Sequence, residues 1–217
     1  MKVCTDACLF GAWIPANDDV KNMLDIGAGT GLLSLIMAQK TNAAIDAVEI
    51  DEAAFFQAKE NIANSTYKDR ITVLNEDFKY FNPSKKYDLI ITNPPFYEHQ
   101  VHSADERERT AKHAVDLTLE NLLTHAAGLL SENGKLAILL PYFRKEECLK
   151  YAQLLKLYPE QSIHIRQTPR HDFFRYAVIF SFDDTMLSQD LSFSIKNEAN
   201  QYSETSIALL NSFYLYL

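Results

Sequence analysis

The sequence predicts an α/β fold, a mostly parallel sheet with helices on both faces. Three observations point there. Short apolar runs alternate with longer stretches of helical periodicity, the pattern of successive βαβ units. The runs are nearly continuous in apolar residues, as strands are when helices cover both faces of a sheet. The first run ends in Asp25-Ile26-Gly27-Ala28-Gly29-Thr30-Gly31, a Gly-rich passage from strand to helix.

The elements follow in order. Lys21–Ile26 is the first strand, and Leu32–Lys40 the helix that its Gly-rich turn opens. Ala44–Ile50 is a second strand, and Glu52–Asn64, rich in Ala, Glu, Gln and Lys, a second helix. Ile71–Asn75 and Tyr87–Thr92 are the third and fourth strands, the latter stopped by Asn93-Pro94-Pro95. Leu117–Leu130 has helical periodicity and ends before an Asn133-Gly134 turn. Lys135–Leu140 is a fifth strand and Arg144–Leu157 a further helix. Ser162–Gln167 and Tyr176–Phe182 form a strand pair that closes the sheet. The tail is less regular, and its end, Ile207–Leu217, is expected to pack back as a helix. Tyr97–His113 is polar, charged and aperiodic, the profile of a functional loop.

Length and composition bound the rest. The 217 residues, 47% hydrophobic and 23% charged, suit one globular domain over 1–217. Within it, 1–20 is an N-terminal segment, 97–113 a mobile substrate loop and 188–217 an appendage. The three cysteines, Cys4, Cys8 and Cys148, form no C-x-x-C pair, so neither a disulfide framework nor a zinc knuckle is expected. No signal peptide or membrane-spanning run is visible, and the expected location is the cytoplasm. His99, His102 and His113 have no carboxylates at ligand spacing, so no metal is expected. The net charge of −8 excludes a protein built simply to coat nucleic acid. That charge is uneven: residues 135–175 hold 8 Lys and Arg against 4 Asp and Glu, so one basic stretch interrupts an acidic chain.

The candidate chemistry lies at the strand ends. The G-x-G-x-G spacing of Gly27, Gly29 and Gly31 is shorter than a dinucleotide fingerprint, which disfavours a dehydrogenase. D-x-G-x-G-x-G resembles the first motif of S-adenosylmethionine-dependent methyltransferases. In that setting the glycines hold the methionine part of the cofactor, and Asp25 anchors its ammonium group, directly or through water. Glu49, at the end of the second strand, can accept both ribose hydroxyls. Asp77 after the third strand is placed for the adenine amine, with Phe78 against the ring. Asn93-Pro94-Pro95-Phe96 suits a planar amine. Two prolines remove two N–H donors and leave carbonyl acceptors beside the Asn93 amide. The Asn93 oxygen and the Pro94 carbonyl can each accept one N–H of an NH₂ group, while Phe96 stacks on the base. Catalysis is then positioning plus fixed dipoles. Together the two motifs resemble amino-group methyltransferases acting on adenine N6, cytosine N4 or a glutamine amide.

A narrower resemblance covers nearly the whole chain. The opening Met1-Lys2-Val3-Cys4-Thr5-Asp6-Ala7, then Leu9-Phe10-Gly11-Ala12-Trp13, are similar to the start of the bacterial tRNA1(Val) adenine-37 N6-methyltransferases. So are Asp25–Gly31, the charged loop with Arg109 and His113, and the terminal Phe213-Tyr214-Leu215. This chain begins at the Met of that start, where family members carry a further segment. The resemblance implies a Rossmann-like, seven-stranded class I methyltransferase domain, S-adenosylmethionine as cofactor and a valine-accepting tRNA as substrate. It also implies that Thr5 and Asp6 lie beside the cofactor pocket. RNA contacts are expected from Tyr97, Arg107, Arg109, Lys112, Arg144, Lys145 and Arg170. A monomer without membrane or metal partners is expected. Rival readings are a protein-glutamine N5-methyltransferase, a DNA adenine-N6 methyltransferase and a non-catalytic cofactor-binding protein. The first two normally carry a recognition domain that 1–20 is too short to provide, and the intact Asn93–Phe96 opposes the third.

Overall fold

The computed structural model describes residues 4–15, 17–94 and 117–214. Its elements run α1 (Thr5–Trp13), β1 (Asn22–Ile26), α2 (Leu32–Lys40), β2 (Ala44–Glu49), α3 (Glu52–Ala63), β3 (Ile71–Asn75) and β4 (Tyr87–Thr92). Then follow α4 (Leu119–Leu129), β5 (Leu130–Pro141), α5 (Lys145–Leu154), β6 (Tyr158–Arg166), β7 (Phe173–Ser181), β8 (Gln189–Ser194) and α6 (Glu204–Leu210).

The strands form one sheet of order β3-β2-β1-β4-β5-β7-β6-β8. Strands β1 to β5 are parallel, and β7 runs antiparallel to both β5 and β6. The expected α/β sheet is therefore present, with eight strands instead of seven. The added strand, β8, pairs parallel to β6 at the edge. It comes from the irregular tail, and its first four residues are exposed, which removes the apolar pattern that marks a strand in sequence.

Alternate residues of the central strands enter two separate cores. Met23, Leu89, Ile91, Ala137, Leu139 and Ile179 join side chains from α1, α2, α3 and α6 on one face. Leu24, Ile26, Ile90, Leu136, Ile138 and Val178 join α4 and α5 on the other. This double burial is why the strands read as apolar runs. Lys40 closes the end of α1, donating to the carbonyls of Gly11 and Ala12 at 3.1 and 2.7 Å and to that of Ile14. Tail packing differs in detail from the sequence expectation. The final helix starts at Glu204, capped by Ser203, and ends at Leu210. Tyr214 then reaches the side chains of Thr5 and Cys8 at the start of α1.

The Asn133-Gly134 turn is also recast. No turn separates α4 from the strand: β5 begins at Leu130 and carries an irregularity where Tyr87 faces Leu130 but Leu89 faces Lys135. Gly134 makes this possible, because a Cβ there would lie 2.6 Å from the Tyr87 carbonyl. Gly134→Ala is therefore expected to destabilise the fold by roughly 1–3 kcal/mol in urea unfolding. Gly128 in α4 has nothing within 4 Å of such a Cβ. Gly128→Ala should add roughly 0.5–1 kcal/mol in the same assay.

Candidate active site

The parallel strands bring their carboxyl ends to one rim. Because β7 is antiparallel to β5 and β6, its amino end joins that rim too. The rim carries, in sheet order, Asn75 to Asp77, Glu49, Asp25 to Gly31, Asn93, Pro141 to Arg144, Phe173 to Arg175 and Arg166. Open α/β sheets bind ligands at this end.

The turn after β1 is built around one carboxylate. Asp25 is fully buried. Gly31 is the N-cap of α2 and has no side chain to cap it. Asp25 Oδ2 takes that role from six residues upstream, accepting Ser34 N at 3.0 Å and Ser34 Oγ at 2.6 Å. The intervening turn needs three left-handed residues: φ is +70° at Gly27, +56° at Gly29 and +81° at Gly31. At Gly27 a Cβ would meet nothing within 4 Å, so only the dihedral demands glycine there. The turn is tied to β2 as Gly27 N and Ala28 N donate to the Val48 carbonyl at 2.9 and 3.1 Å.

Asp25 Oδ1 has no hydrogen-bond partner, and it is the one buried side-chain polar atom in that condition among the described residues. Desolvation pushes the carboxyl up to about 7, the Ser34 bonds oppose this, and nearby Glu49 adds to it. A cationic donor would satisfy Oδ1 and restore the charged form. The site therefore fits the ammonium group of an amino-acid-bearing cofactor.

Glu49, also buried, is held by two backbone donors: Gly29 N to Oε2 at 2.7 Å and Asp51 N to Oε1 at 2.8 Å. Each oxygen keeps a second lone-pair site, so the carboxylate can still accept two hydroxyls. Asp77 caps the short turn Phe78–Tyr80, with Oδ1 accepting Lys79 N at 3.0 Å and Oδ2 at 3.4 Å from Lys79 Nζ. Phe78, expected against a ligand ring, is buried, its ring meeting His125 edge-on at 4.7 Å. It belongs to the hydrophobic core on the α4 side of the sheet. Ile50, absent from the sequence reading, is the exposed apolar residue beside Glu49. Asn75 Nδ2 fixes the backbone there by donating to the Glu49 carbonyl at 2.9 Å.

Asn93 and Pro94 follow β4, whose Thr92 Oγ1 donates to the Ile26 carbonyl at 2.9 Å. With Thr92 paired to Ile26 in register, Asn93 leaves the sheet beside Gly27. Sequence reasoning missed Thr92 and Ser34, whose only signal is a buried hydroxyl at an element end. Pro95, Phe96, Tyr97, Arg107, Arg109 and Lys112, and the three histidines weighed as ligands, lie outside the described residues. Among the described residues no cluster of three or more metal-ligating side chains occurs, and no helix is long and apolar enough to cross a membrane.

At the far end of the rim, Asp6 and Arg175 pair at 2.7 Å, joining α1 to β7. Arg144 makes two bonds to Glu147, at 2.9 and 3.0 Å. Lys145 Nζ lies 5.4 Å from the Tyr176 ring centroid. Arg170 is highly exposed and 3.4 Å from Glu198. The basic stretch is thus partly engaged in local pairs.

Known proteins share this fold and resemble this sequence. A family profile described as "Methyltransferase small domain" matches residues 8–158, from α1 to the first residue of β6. A solved structure from Agrobacterium tumefaciens, described as a predicted O-methyltransferase, superposes with a TM-score of 0.74 at 16% identity, covering 97% of each chain. The fold and the rim therefore define a class I methyltransferase domain. A tRNA1(Val) (adenine(37)-N6)-methyltransferase of Flavobacterium psychrophilum is 39% identical over 99% of this chain and 93% of its own. One from Parabacteroides distasonis is 34% identical, with 99% and 91% covered. The chain belongs to the tRNA1(Val) (adenine(37)-N6)-methyltransferase family.

The raised Asp25 pKa has a defined consequence. The folded state holds its proton more tightly than the unfolded chain between the ordinary value of 3.8 and about 7. Unliganded stability from this group therefore falls as pH climbs through that window and levels off above it. Urea unfolding midpoints of wild type minus Asp25→Asn should drop between pH 4 and pH 8, and an unchanged difference would contradict the burial argument.

Proposed function

We propose that the protein transfers a methyl group from S-adenosylmethionine to N6 of adenine 37 in tRNA1(Val). The observation that carries the substrate is similarity along almost the full length to relatives bearing that name. When bound, S-adenosylmethionine supplies the electrophilic sulfonium methyl.

The residues divide the remaining work. Asp25 Oδ1 accepts from the ammonium group, which removes the one unpartnered buried oxygen. Glu49 accepts from the ribose hydroxyls with an orientation already set by Gly29 and Asp51. Ile50 offers an apolar face to the adenine of the cofactor, and Asp77 accepts from its amine. Thr5 and Asp6 stand at the rim through Tyr214 and Arg175 and complete the pocket wall. On the substrate side, the Asn93 side-chain oxygen and the Pro94 carbonyl accept the two amino hydrogens of the target adenine. Holding both turns the nitrogen lone pair out of the ring and toward the methyl donor. Pro95 keeps the carbonyl run rigid, and Phe96 stacks on the extruded base. Tyr97, Arg107, Arg109, Lys112, Arg144, Lys145 and Arg170 are assigned to the RNA. The acidic balance of the whole chain favours recognition of a shaped loop over bulk nucleic acid.

Asn93→Ala should lower turnover on the order of a hundredfold or more, with cofactor affinity changed only a few-fold. Near-normal methyl transfer by that variant would remove the amine clamp from the mechanism. Asp25→Ala and Glu49→Ala should each weaken cofactor binding by calorimetry, and wild-type cofactor affinity should tighten as pH rises through about 7. The substrate is tested by transfer of tritiated methyl to total RNA, DNA and protein followed by nucleoside analysis. Label in RNA as N6-methyladenosine is expected, and label only in protein as N5-methylglutamine would replace this reading.

A further inference from the structure

One exposed aromatic on the rim is held in a way that core packing does not explain. Phe143 is the middle residue of the single-turn helix Tyr142–Arg144, directly after β5. It is 72% exposed. A lone exposed Phe is unremarkable on most surfaces. Here both neighbours are anchored while the ring between them is left in solvent.

On one side, the Tyr142 hydroxyl lies 3.0 Å from His164 Nδ1, and His164 Nε2 lies 2.7 Å from Asp190 Oδ1 on β8. His164 is buried, and the rings of Tyr142, Phe173 and Tyr176 surround it at 5.2–5.4 Å. On the other side, Arg144 is bound twice by Glu147, one turn into α5. Pro141, paired with Arg175 in register, enters the turn at φ −56°. The chain at Phe143 is therefore fixed before any ligand arrives, so little order remains to be imposed on binding.

Its position places it next to the strand end from which Asn93 emerges. The turn caps β5, the immediate neighbour of β4, whose end carries Asn93. Arg144 and Lys145 follow it, and Arg175 stands across the strand pair. Each of these cations already meets an acid, Arg144 with Glu147, Lys145 with Glu146 and Arg175 with Asp6. The exposed, pre-positioned ring is therefore the feature that suits single-stranded nucleic acid, whose unpaired bases stack on aromatic side chains.

We propose that Phe143 is a substrate-binding residue that stacks on an unpaired loop base next to the target adenine. This rests on the tRNA reading above and deepens it, by assigning a second base to a second platform. The Tyr142–His164–Asp190 chain is the support that aims the ring.

The test uses the full chain, an unmodified tRNA1(Val) transcript, and an anticodon stem-loop carrying 2-aminopurine beside the target adenine. Phe143→Ala should raise the KM for tRNA on the order of tenfold, leaving cofactor affinity and the unfolding midpoint unchanged. Phe143→Trp should restore the KM. Stacking quenches 2-aminopurine, so binding should dim the probe with wild type and Phe143→Trp but not with Phe143→Ala. A wild-type KM in Phe143→Ala, or a loss that Phe143→Trp does not recover, overturns the assignment while the tRNA function stands. Absence of any methyl transfer to RNA by the wild type removes both.

Discussion

The site depends on a carboxylate placed where water cannot reach it. Asp25 ends β1, the strand between β2 and β4, and it caps a helix whose own N-cap is glycine. Burying an ionised carboxylate is costly unless donors compensate. Ser34 compensates one oxygen with two bonds and leaves the other bare. That residual deficit at Asp25 Oδ1 is one that a cationic donor would satisfy.

The neighbouring strands repeat the logic with less strain. Glu49 is oriented by backbone donors from its own strand end and from the Gly-rich turn, so β1 and β2 share one acceptor site. Thr92 ties β4 to β1 from the other side and sets the level at which Asn93 leaves the sheet. Asp25, Glu49 and Asn93, far apart in sequence, thus come to one end of the sheet because β1, β2 and β4 are parallel neighbours.

Beyond β5 the sheet reverses. The antiparallel β7 returns Phe173 and Arg175 to the same rim, and β8 supplies the carboxylate that holds His164. This half adds a cationic and aromatic border to the cofactor half. Much of the positive charge of 135–175 is locally paired, since Lys135, Arg144, Arg170 and Arg175 each meet an acidic partner. Pairing of this kind on the surface holds side chains in place at small energetic gain.

The strands from β1 to β7 and the gathering of Asp25, Glu49 and the three glycines at one strand-end rim were legible in the chain. Double burial writes strands as apolar runs, and left-handed backbone demands glycine at fixed spacing. The Asn93-Pro94 pair was legible for a similar reason, because proline states its own geometry. The burial of Phe78 against His125 was not legible, because a residue beside a strand end and one packed into the core look alike in sequence. The exposed edge strand β8, the continuation of β5 through Gly134 and the hydroxyls of Ser34 and Thr92 carry no local pattern. Their partners lie across the fold, at Asp190 with His164, at Tyr87, at Asp25 and at Ile26. Local sequence therefore determined which residue types the site contains, and tertiary packing decided which of their atoms remain open to a ligand, since that depends on partners brought together only by the sheet.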